Sequence, residues 1–199
     1  MGHIIIAMGR RYGSGGREIG KLLAKRLGIP FYDRELVEMA ARKSGIDQGV
    51  LEILNERASQ ATLLKTKSAA GGRQIGELLY QTQSQIIREL AEEGSCVIIG
   101  RCANYVLRGR EDLFTAFVTA PEEKRIERIM ERNRMCREDA ARAVEKVDRQ
   151  RREYYEYYTK GHWGGPEDYD LIVDSSILGP EGTAELLEEK ARAFLKCPV

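Results

Sequence analysis

The fold of this chain is decided by residues 8–20, Met8-Gly9-Arg10-Arg11-Tyr12-Gly13-Ser14-Gly15-Gly16-Arg17-Glu18-Ile19-Gly20. The mostly apolar residues 3–7 precede this stretch, and an apolar-periodic run that begins at Ile19 follows it. The stretch therefore lies where a strand turns into a helix. Glycines in such a turn allow positive φ angles and let an anion approach the backbone N–H groups at the start of the helix. The pattern predicts a phosphate-binding loop, with a glycine-rich turn that binds nothing as the alternative.

The candidate phosphate-binding residues are those of the loop itself: Gly9, Gly13, Ser14, Gly15, Gly16, Arg17 and Glu18. Their spacing departs from the motif G-x-x-x-x-G-K-[ST], because the loop contains no lysine. If Gly16 is the second motif glycine, Arg17 takes the position of the lysine and Glu18 takes that of the hydroxyl residue. Arg17 would then supply the positive charge as a planar fork instead of a compact ammonium group.

Composition predicts one cytoplasmic domain, residues 1–199. The 32 Lys and Arg residues oppose 31 Asp and Glu residues, and a net charge of +1 gives no reason to expect a nucleic-acid or membrane partner. Four cysteines without C-x-x-C spacing, and the lack of a signal-peptide pattern, indicate a reducing compartment. Neither His3 nor His162 has partners at metal-ligand spacing, so no protein-bound metal is predicted. The sequence is compatible with a homo-oligomer but does not specify one.

The order of elements predicts an α/β fold. Strands near residues 3, 30, 95, 113 and 170 alternate with helices, which indicates a parallel sheet of about five strands with helices on both faces. The first predicted helix stops at Gly28, a long one runs from Ile75 to about Glu93, and the last runs from about Glu181 to Lys196. Two insertions interrupt this order: residues 44–72, expected on the acceptor side, and an arginine-rich helical pair at about 132–165. This is the layout of a small-molecule kinase, in which a lid brings positive charge over a transferring phosphoryl group.

Two polar residues follow predicted strands at the edge where the first loop also lies. Asp33 ends a short strand over 29–33, and Arg101 follows the apolar run 95–99. Ligands bind beyond the carboxyl ends of parallel strands, so both residues are candidates for substrate binding. Asp33 is equally well explained as the N-cap of the next helix.

Two predicted helices carry the arginines of the second insertion. Arg125, Arg128 and Arg132 are spaced i, i+3, i+7 and share one helix face. The next helix, from Glu138 to about Tyr158, carries Arg142, Arg149, Arg151 and Arg152 among acidic residues. A charged helix of this kind is more often a solvated face than part of a site.

The chain resembles the cytidylate kinase-like branch of the nucleoside monophosphate kinases, along nearly its whole length. The resemblance is carried by residues 9–20, 28–33, 97–103 and 169–176. It implies the three-layer P-loop NTPase fold, ATP with Mg²⁺, a small-molecule nucleotide substrate and the reaction ATP + (d)CMP to ADP + (d)CDP. It also implies that the loop holds ATP phosphates, that Asp33 and Arg101 lie in the acceptor site and that the arginines from 125 to 152 belong to the lid.

The chain departs from that family pattern at two places. Cytidylate kinases have a lysine in the loop and an aspartate before the Gly-Arg pair, where this chain has Gly16 or Arg17, and Ile99. Without a loop lysine, an arginine must supply the charge for catalysis, and the candidates are Arg17, Arg128, Arg132, Arg149 and Arg152. Two hypotheses compete with (d)CMP phosphorylation: a kinase for another small acceptor, and a nucleotide-binding regulatory module without catalysis. The absent lysine favours the module, whereas the arginine-rich lid favours an enzyme.

Overall fold

The computed structural model describes residues 2–33, 35–44 and 70–195. Five strands form one parallel sheet in the order β2-β3-β1-β4-β5. The strands are β1 (Ile5–Arg10), β2 (Phe31–Tyr32), β3 (Cys96–Ile99), β4 (Leu113–Thr119) and β5 (Leu171–Asp174). The predicted five-stranded parallel sheet is confirmed, and β1 lies at its centre. The loop that follows β1 therefore opens at the middle of the carboxyl edge of the sheet.

Helices cover both faces of this sheet, as predicted. One face carries the first and last helices, which pack against each other, and the other face carries the second and third. In chain order the helices are α1 (Gly16–Leu27), α2 (Glu35–Ser44), α3 (Ala70–Glu93), α4 (Ala103–Val106), α5 (Glu122–Asn133), α6 (Arg137–Thr159) and α7 (Ser175–Phe194).

The central strand is buried on both faces. Ile6 and Met8 belong to the core beneath α1 and α7, whereas Ile5 and Ala7 belong to the core beneath α2 and α3. Alternate residues of a strand point to opposite faces, so a strand covered on both sides needs a continuous apolar run. This burial fixes the position of the loop that follows at Arg10.

Glycines set both ends of α1. Gly15, with φ 76°, precedes the helix, and Gly28, with φ 68°, follows it. A left-handed residue is common after a helix C-terminus, and glycine adopts it without a steric penalty. The predicted helix end at Gly28 is confirmed.

Two helices begin earlier than predicted. The third starts at Ala70 instead of Ile75, and the last starts at Ser175 instead of Glu181. The Asp174 carboxylate accepts a hydrogen bond from the Ser176 N–H at 2.8 Å and caps that extra first turn. Gly179, with φ 67°, then lets the chain kink ahead of Pro180.

Most of the predicted insertion 44–72 lies outside the described residues. Among the helices that the structure describes, none is long and apolar enough to cross a membrane.

Candidate functional site

A cleft of about 1490 Å³ opens at the carboxyl edge of the sheet. Its walls are the loop after β1, the turn after β3, and the facing sides of α5 and α6. Sites for a single drug-sized ligand enclose about 300 to 1,000 Å³. The cleft therefore has room for two small molecules side by side.

Positive charge dominates this cleft. Three carboxylates line its described part, Glu18, Asp33 and Glu131, against eight cationic side chains. The cationic side chains are Arg10, Arg11, Arg17, Lys21, Arg101, Arg128, Arg132 and Arg151. A concave surface lined by an excess of one charge attracts ligands of the opposite charge. The cleft is built for an anion.

The loop has a backbone that favours glycine at two positions. Gly13 and Gly15 have φ angles of 83° and 76°. A Cβ atom on Gly13 would lie 2.6 Å from the backbone oxygen of Arg125, and one on Gly15 would collide with the guanidinium of Arg128. Because α1 begins at Gly16, its N-terminal N–H groups open onto the cleft. A helix N-terminus in this position is suited to a phosphate group.

The other predicted loop residues divide into two groups. Gly9, Arg17 and Glu18 line the cleft. A Cβ atom on Gly9 would lie 2.7 Å from the Tyr169 hydroxyl, so glycine at this position also makes room for Tyr169. Ser14 is buried, and its Oγ donates to the carbonyl of Arg11 at 2.8 Å. The structure therefore does not bring the Ser14 side chain into the cleft, where we expected it, because that hydroxyl braces the loop from behind.

Asp33 lies opposite the loop, where both of its carboxylate oxygens contact arginines. Arg17 Nε donates to Oδ2 at 2.5 Å, and Arg10 Nη2 donates to Oδ1 at 3.4 Å. Burial raises the pKa of Asp33, but the attraction of Arg10, Arg17 and Arg101 outweighs burial and holds the pKa below its usual value. The carboxylate is thus ionised at neutral pH. We expected Arg17 to reach the ATP phosphates, but its hydrogen bond to Asp33 holds it on the acceptor side of the cleft.

A tight turn after β3 presents Arg101 to the cleft. Gly100, Arg101 and Cys102 have φ angles of 74°, 57° and 56°. Two consecutive left-handed residues other than glycine are uncommon and cost energy, which the surrounding structure must supply. Arg101 and Asp33 line the same cleft, and the attraction of Arg101 contributes to the lowered pKa of Asp33.

The arginines of α5 face the loop at two different depths. Arg128 lies against Gly15 and forms an ion pair with Glu18 at 3.7 Å, and Arg132 donates to the Tyr12 hydroxyl at 2.9 Å. Both line the cleft. Arg125 is buried and does not reach it.

Arg125 instead forms a buried ion pair with Asp148 of α6, at 2.6 Å. Asp148 also accepts from the Tyr12 N–H at 2.7 Å, and Arg125 also donates to the Tyr12 carbonyl at 3.1 Å. This ion pair, which we call the loop clasp, holds the phosphate loop between α5 and α6.

The structure does not bring Arg149 and Arg152 to the cleft. Arg149 is 56 % exposed and pairs with Glu145 on its own helix, and Arg152 is exposed as well. The α6 residues that line the cleft are Val147, Gln150, Arg151 and Tyr154. Arg151 Nη1 donates to the carbonyl of Arg10 at 3.0 Å. Arg151 therefore takes the place that we expected for its neighbours.

Two residues of the site, Arg10 and Asp148, were not predicted from the sequence, and Arg151 was expected only as one of the lid arginines. A signal existed for Arg151, because Val144, Val147 and Arg151 recur at i, i+3, i+7 and mark the inward side of the helix. No local signal exists for Asp148, whose partner Tyr12 lies 136 residues away in the chain. Across the described ranges, no group of three or more His, Cys, Asp or Glu side chains is arranged to hold a metal ion.

A family model described as "Cytidylate kinase-like family" matches residues 5–177. No curated protein matches the sequence.

Several solved structures are similar to this chain. An uncharacterized protein from Eubacterium ventriosum is 25% identical, with a TM-score of 0.73, over 96% of this chain and 99% of that chain. Shikimate kinase from Bacteroides thetaiotaomicron is 15% identical, with a TM-score of 0.55, over 96% and 99%. A gluconokinase from Sinorhizobium meliloti is 14% identical, with a TM-score of 0.52, over 97% and 91%. At such identities the two kinases establish the fold.

Proposed function

Because the chain belongs to the cytidylate kinase-like family of P-loop kinases, we propose that it transfers the terminal phosphoryl group of ATP to a small anionic acceptor. The first candidate acceptor is (d)CMP. One observation carries this proposal: a glycine loop suited to phosphate faces Arg101 and Asp33 across a single cleft. Phosphoryl transfer needs two bound molecules held end to end, and catalysis depends on positioning and on charge.

The charge of the cleft supports a phosphorylated acceptor. A nucleoside monophosphate carries a dianionic phosphate, which arginines bind through paired hydrogen bonds. In this proposal the loop residues hold the ATP phosphates, Arg101 holds the acceptor phosphate, and Arg128 and Arg132 reach the nucleotide from α5. Residues 1–199 act as one kinase domain, with residues 132–165 as a lid above the cleft.

The cleft residues also fit Mg²⁺ bound to ATP. When bound, the ion neutralises charge on the phosphate oxygens. Asp33 is engaged by two arginines, so it is poorly suited to hold the ion. Glu18, at the start of α1 beside the loop, is 62 % exposed and has only one longer ion pair, with Arg128 at 3.7 Å, so we propose that it is the carboxylate that would hold the metal.

A panel of acceptors tests the proposed function. The protein is incubated with ATP, Mg²⁺ and one acceptor at a time, chosen from the nucleoside monophosphates, shikimate and gluconate, and ADP release is measured. We expect release with CMP or dCMP above the rate without acceptor. Release with a hydroxy acid alone would favour a kinase for another small acceptor. ATP binding without transfer to any acceptor would favour the regulatory module.

The first prediction concerns the loop. Gly15→Val should abolish the stabilisation of the fold by ATP, since a side chain there meets Arg128 and blocks the approach of phosphate. For the unchanged protein, ATP at 100 times its Kd should add about 2.7 kcal/mol to the free energy of unfolding. Thermal melting with and without ATP measures this difference.

Gly28→Val is the matched control for that strain. Gly28 also has a positive φ, but nothing lies within 4 Å of its missing Cβ. This variant should melt at a lower temperature and keep the full ATP-induced shift. An intact shift in Gly15→Val would remove the loop from the ATP site.

The second prediction concerns Arg101. Arg101→Ala should weaken acceptor binding by at least about tenfold and change ATP affinity far less, because a charge-assisted hydrogen bond to phosphate is lost. Calorimetric titration of each ligand separately provides the test. Arg108→Ala, in the same segment but stacked on the Tyr105 ring outside the cleft, is the control. Equal losses for both ligands would place Arg101 elsewhere.

A further inference from the structure

Arg10 lies where the phosphate loop and the acceptor side meet. It is the last residue of β1, and its side chain forms part of the cleft wall with 18% of its surface exposed. The loop begins at this residue, so its side chain can follow the inner surface of the loop. The pattern of the sequence alone assigned no role to Arg10.

Two glycines make room for this side chain. A Cβ atom on Gly16 would lie 2.6 Å from Arg10 Cβ and 3.1 Å from Arg10 Cγ. A Cβ atom on Gly100 would collide with the Arg10 guanidinium. The side chain thus runs from the start of α1 to the end of β3. A larger residue at either glycine would displace it.

This placement bears on the missing lysine. Gly16 and Arg17 are the two positions at which the motif would place a lysine. The space that a side chain at position 16 would take is filled by Arg10. Arg17 Nε donates a hydrogen bond to Asp33 Oδ2 at 2.5 Å. Arg10 is the remaining cationic candidate, because its guanidinium lies between the loop and the end of β3, against Gly100, and its ion pair with Asp33 is longer, at 3.4 Å.

The charge on Arg10 is poorly balanced by the protein. Its one ion pair that the structure describes, with Asp33, is long at 3.4 Å, and Asp33 is shared with Arg17. Burial, together with the neighbouring Arg151, lowers the pKa of Arg10 to about 9. The guanidinium is therefore still charged at neutral pH. Keeping this charge buried costs free energy, which a bound anion would offset.

We propose that Arg10 binds the terminal phosphate of ATP and replaces the absent loop lysine. The charge would come from the end of β1 instead of from the start of α1. This inference rests on the proposed function for the identity of the ligand, although it concerns binding and not transfer.

Equilibrium binding of ATP and ADP tests this inference. Arg10→Ala should weaken the binding of ATP by at least about tenfold and the binding of ADP much less, because only ATP has the terminal phosphate. Arg10→Lys should retain part of the preference for ATP. Arg26→Ala, which removes an arginine paired with Glu188 outside the cleft, should leave both affinities unchanged.

A second pair of variants moves the positive charge from position 10 to position 16 and makes the test sharper. Gly16→Lys alone should lower the melting temperature, since its side chain meets Arg10. The double variant Arg10→Gly with Gly16→Lys, which also removes the Arg10 Cβ that a side chain at position 16 would meet, should regain the preference for ATP over ADP. Unchanged ATP binding in Arg10→Ala, or equal losses of ATP and ADP with no recovery in the double variant, would overturn the inference.

The outcomes separate this inference from the proposed function. If the wild-type protein transfers phosphate to no acceptor but prefers ATP through Arg10, only the proposed function fails. If acceptor phosphorylation is found while Arg10→Ala keeps its ATP affinity, only the role of Arg10 fails. A wild-type protein that binds neither nucleotide would contradict both. Should Arg10→Ala fail to fold, the comparison of ATP with ADP is made on Arg10→Lys, which should lose affinity for ATP alone.

Discussion

Replacing Arg151 with alanine is expected to lower kcat by about a thousandfold, with a much smaller change in ATP affinity. Arg151 reaches the cleft between the loop and the acceptor side, and its guanidinium carbon lies 5.6 Å from the centre of the Tyr12 ring. Burial lowers the pKa of Arg151. The negative charge on the oxygens of a transferring phosphoryl group would stabilise this buried positive charge. Removal of such an arginine costs about 10³-fold or more in turnover.

Single-turnover rates beside equilibrium ATP binding measure this effect. Arg149→Ala and Arg152→Ala test the alternative from the sequence, and their exposed positions lead us to expect near-normal turnover. Arg151 also donates to the Arg10 carbonyl, so Arg151→Lys checks whether loss of that hydrogen bond alone explains the result. A normal turnover rate in Arg151→Ala, with a large loss of rate in Arg149→Ala and Arg152→Ala, would assign the catalytic role to Arg149 and Arg152 instead.

Replacing Asp148 with alanine should cost about 3 to 5 kcal/mol of the free energy of unfolding. The Asp148 and Arg125 side chains of the loop clasp are 8 % and 6 % exposed. Loss of one partner leaves the other charge buried and unpaired, which is strongly destabilising. The Tyr12 N–H also loses its acceptor. Urea denaturation with linear extrapolation gives the change.

An exposed ion pair on the same helix provides the control. Asp139 pairs with Arg142, and both side chains are more than half exposed. Asp139→Ala should cost no more than about 1 kcal/mol, because solvent screens such a pair. Similar losses for the two variants would mean that the loop clasp contributes no more than a surface pair.

The sequence predicts those parts of the fold that depend on local chemistry. The loop and the end of α1 at Gly28 follow from glycine, and the five strands follow from short apolar runs between helices. The start of α7 was missed because Gly179 and Pro180 resemble a loop, whereas Asp174 caps a helical turn before them. Local patterns do not reveal that a kink joins two helical pieces.

The candidate site was harder to predict, because it depends on helix phase and on distant contacts. Charged residues surround most of α6, so its inward side is marked only by a few apolar residues such as Val144. Adjacent arginines on such a helix point in different directions, which separates Arg151 from Arg152. The place of Arg10 in the cleft wall was missed because it depends on Gly16 and Gly100, whose effect is visible only once the strands are side by side.

The central position of β1 has a consequence for how the chain folds. Ile5 pairs with Cys96 and with Leu113, about 90 and about 110 residues later in the chain. Contacts so far apart in sequence slow folding, because the intervening chain must lose its freedom before any pairing energy is gained. During synthesis, the strand that carries the phosphate loop emerges first but must wait for both of its neighbours. Until β4 has been made, β1 can pair on one side only, with β3, and the cleft lacks the walls that α5 and α6 contribute.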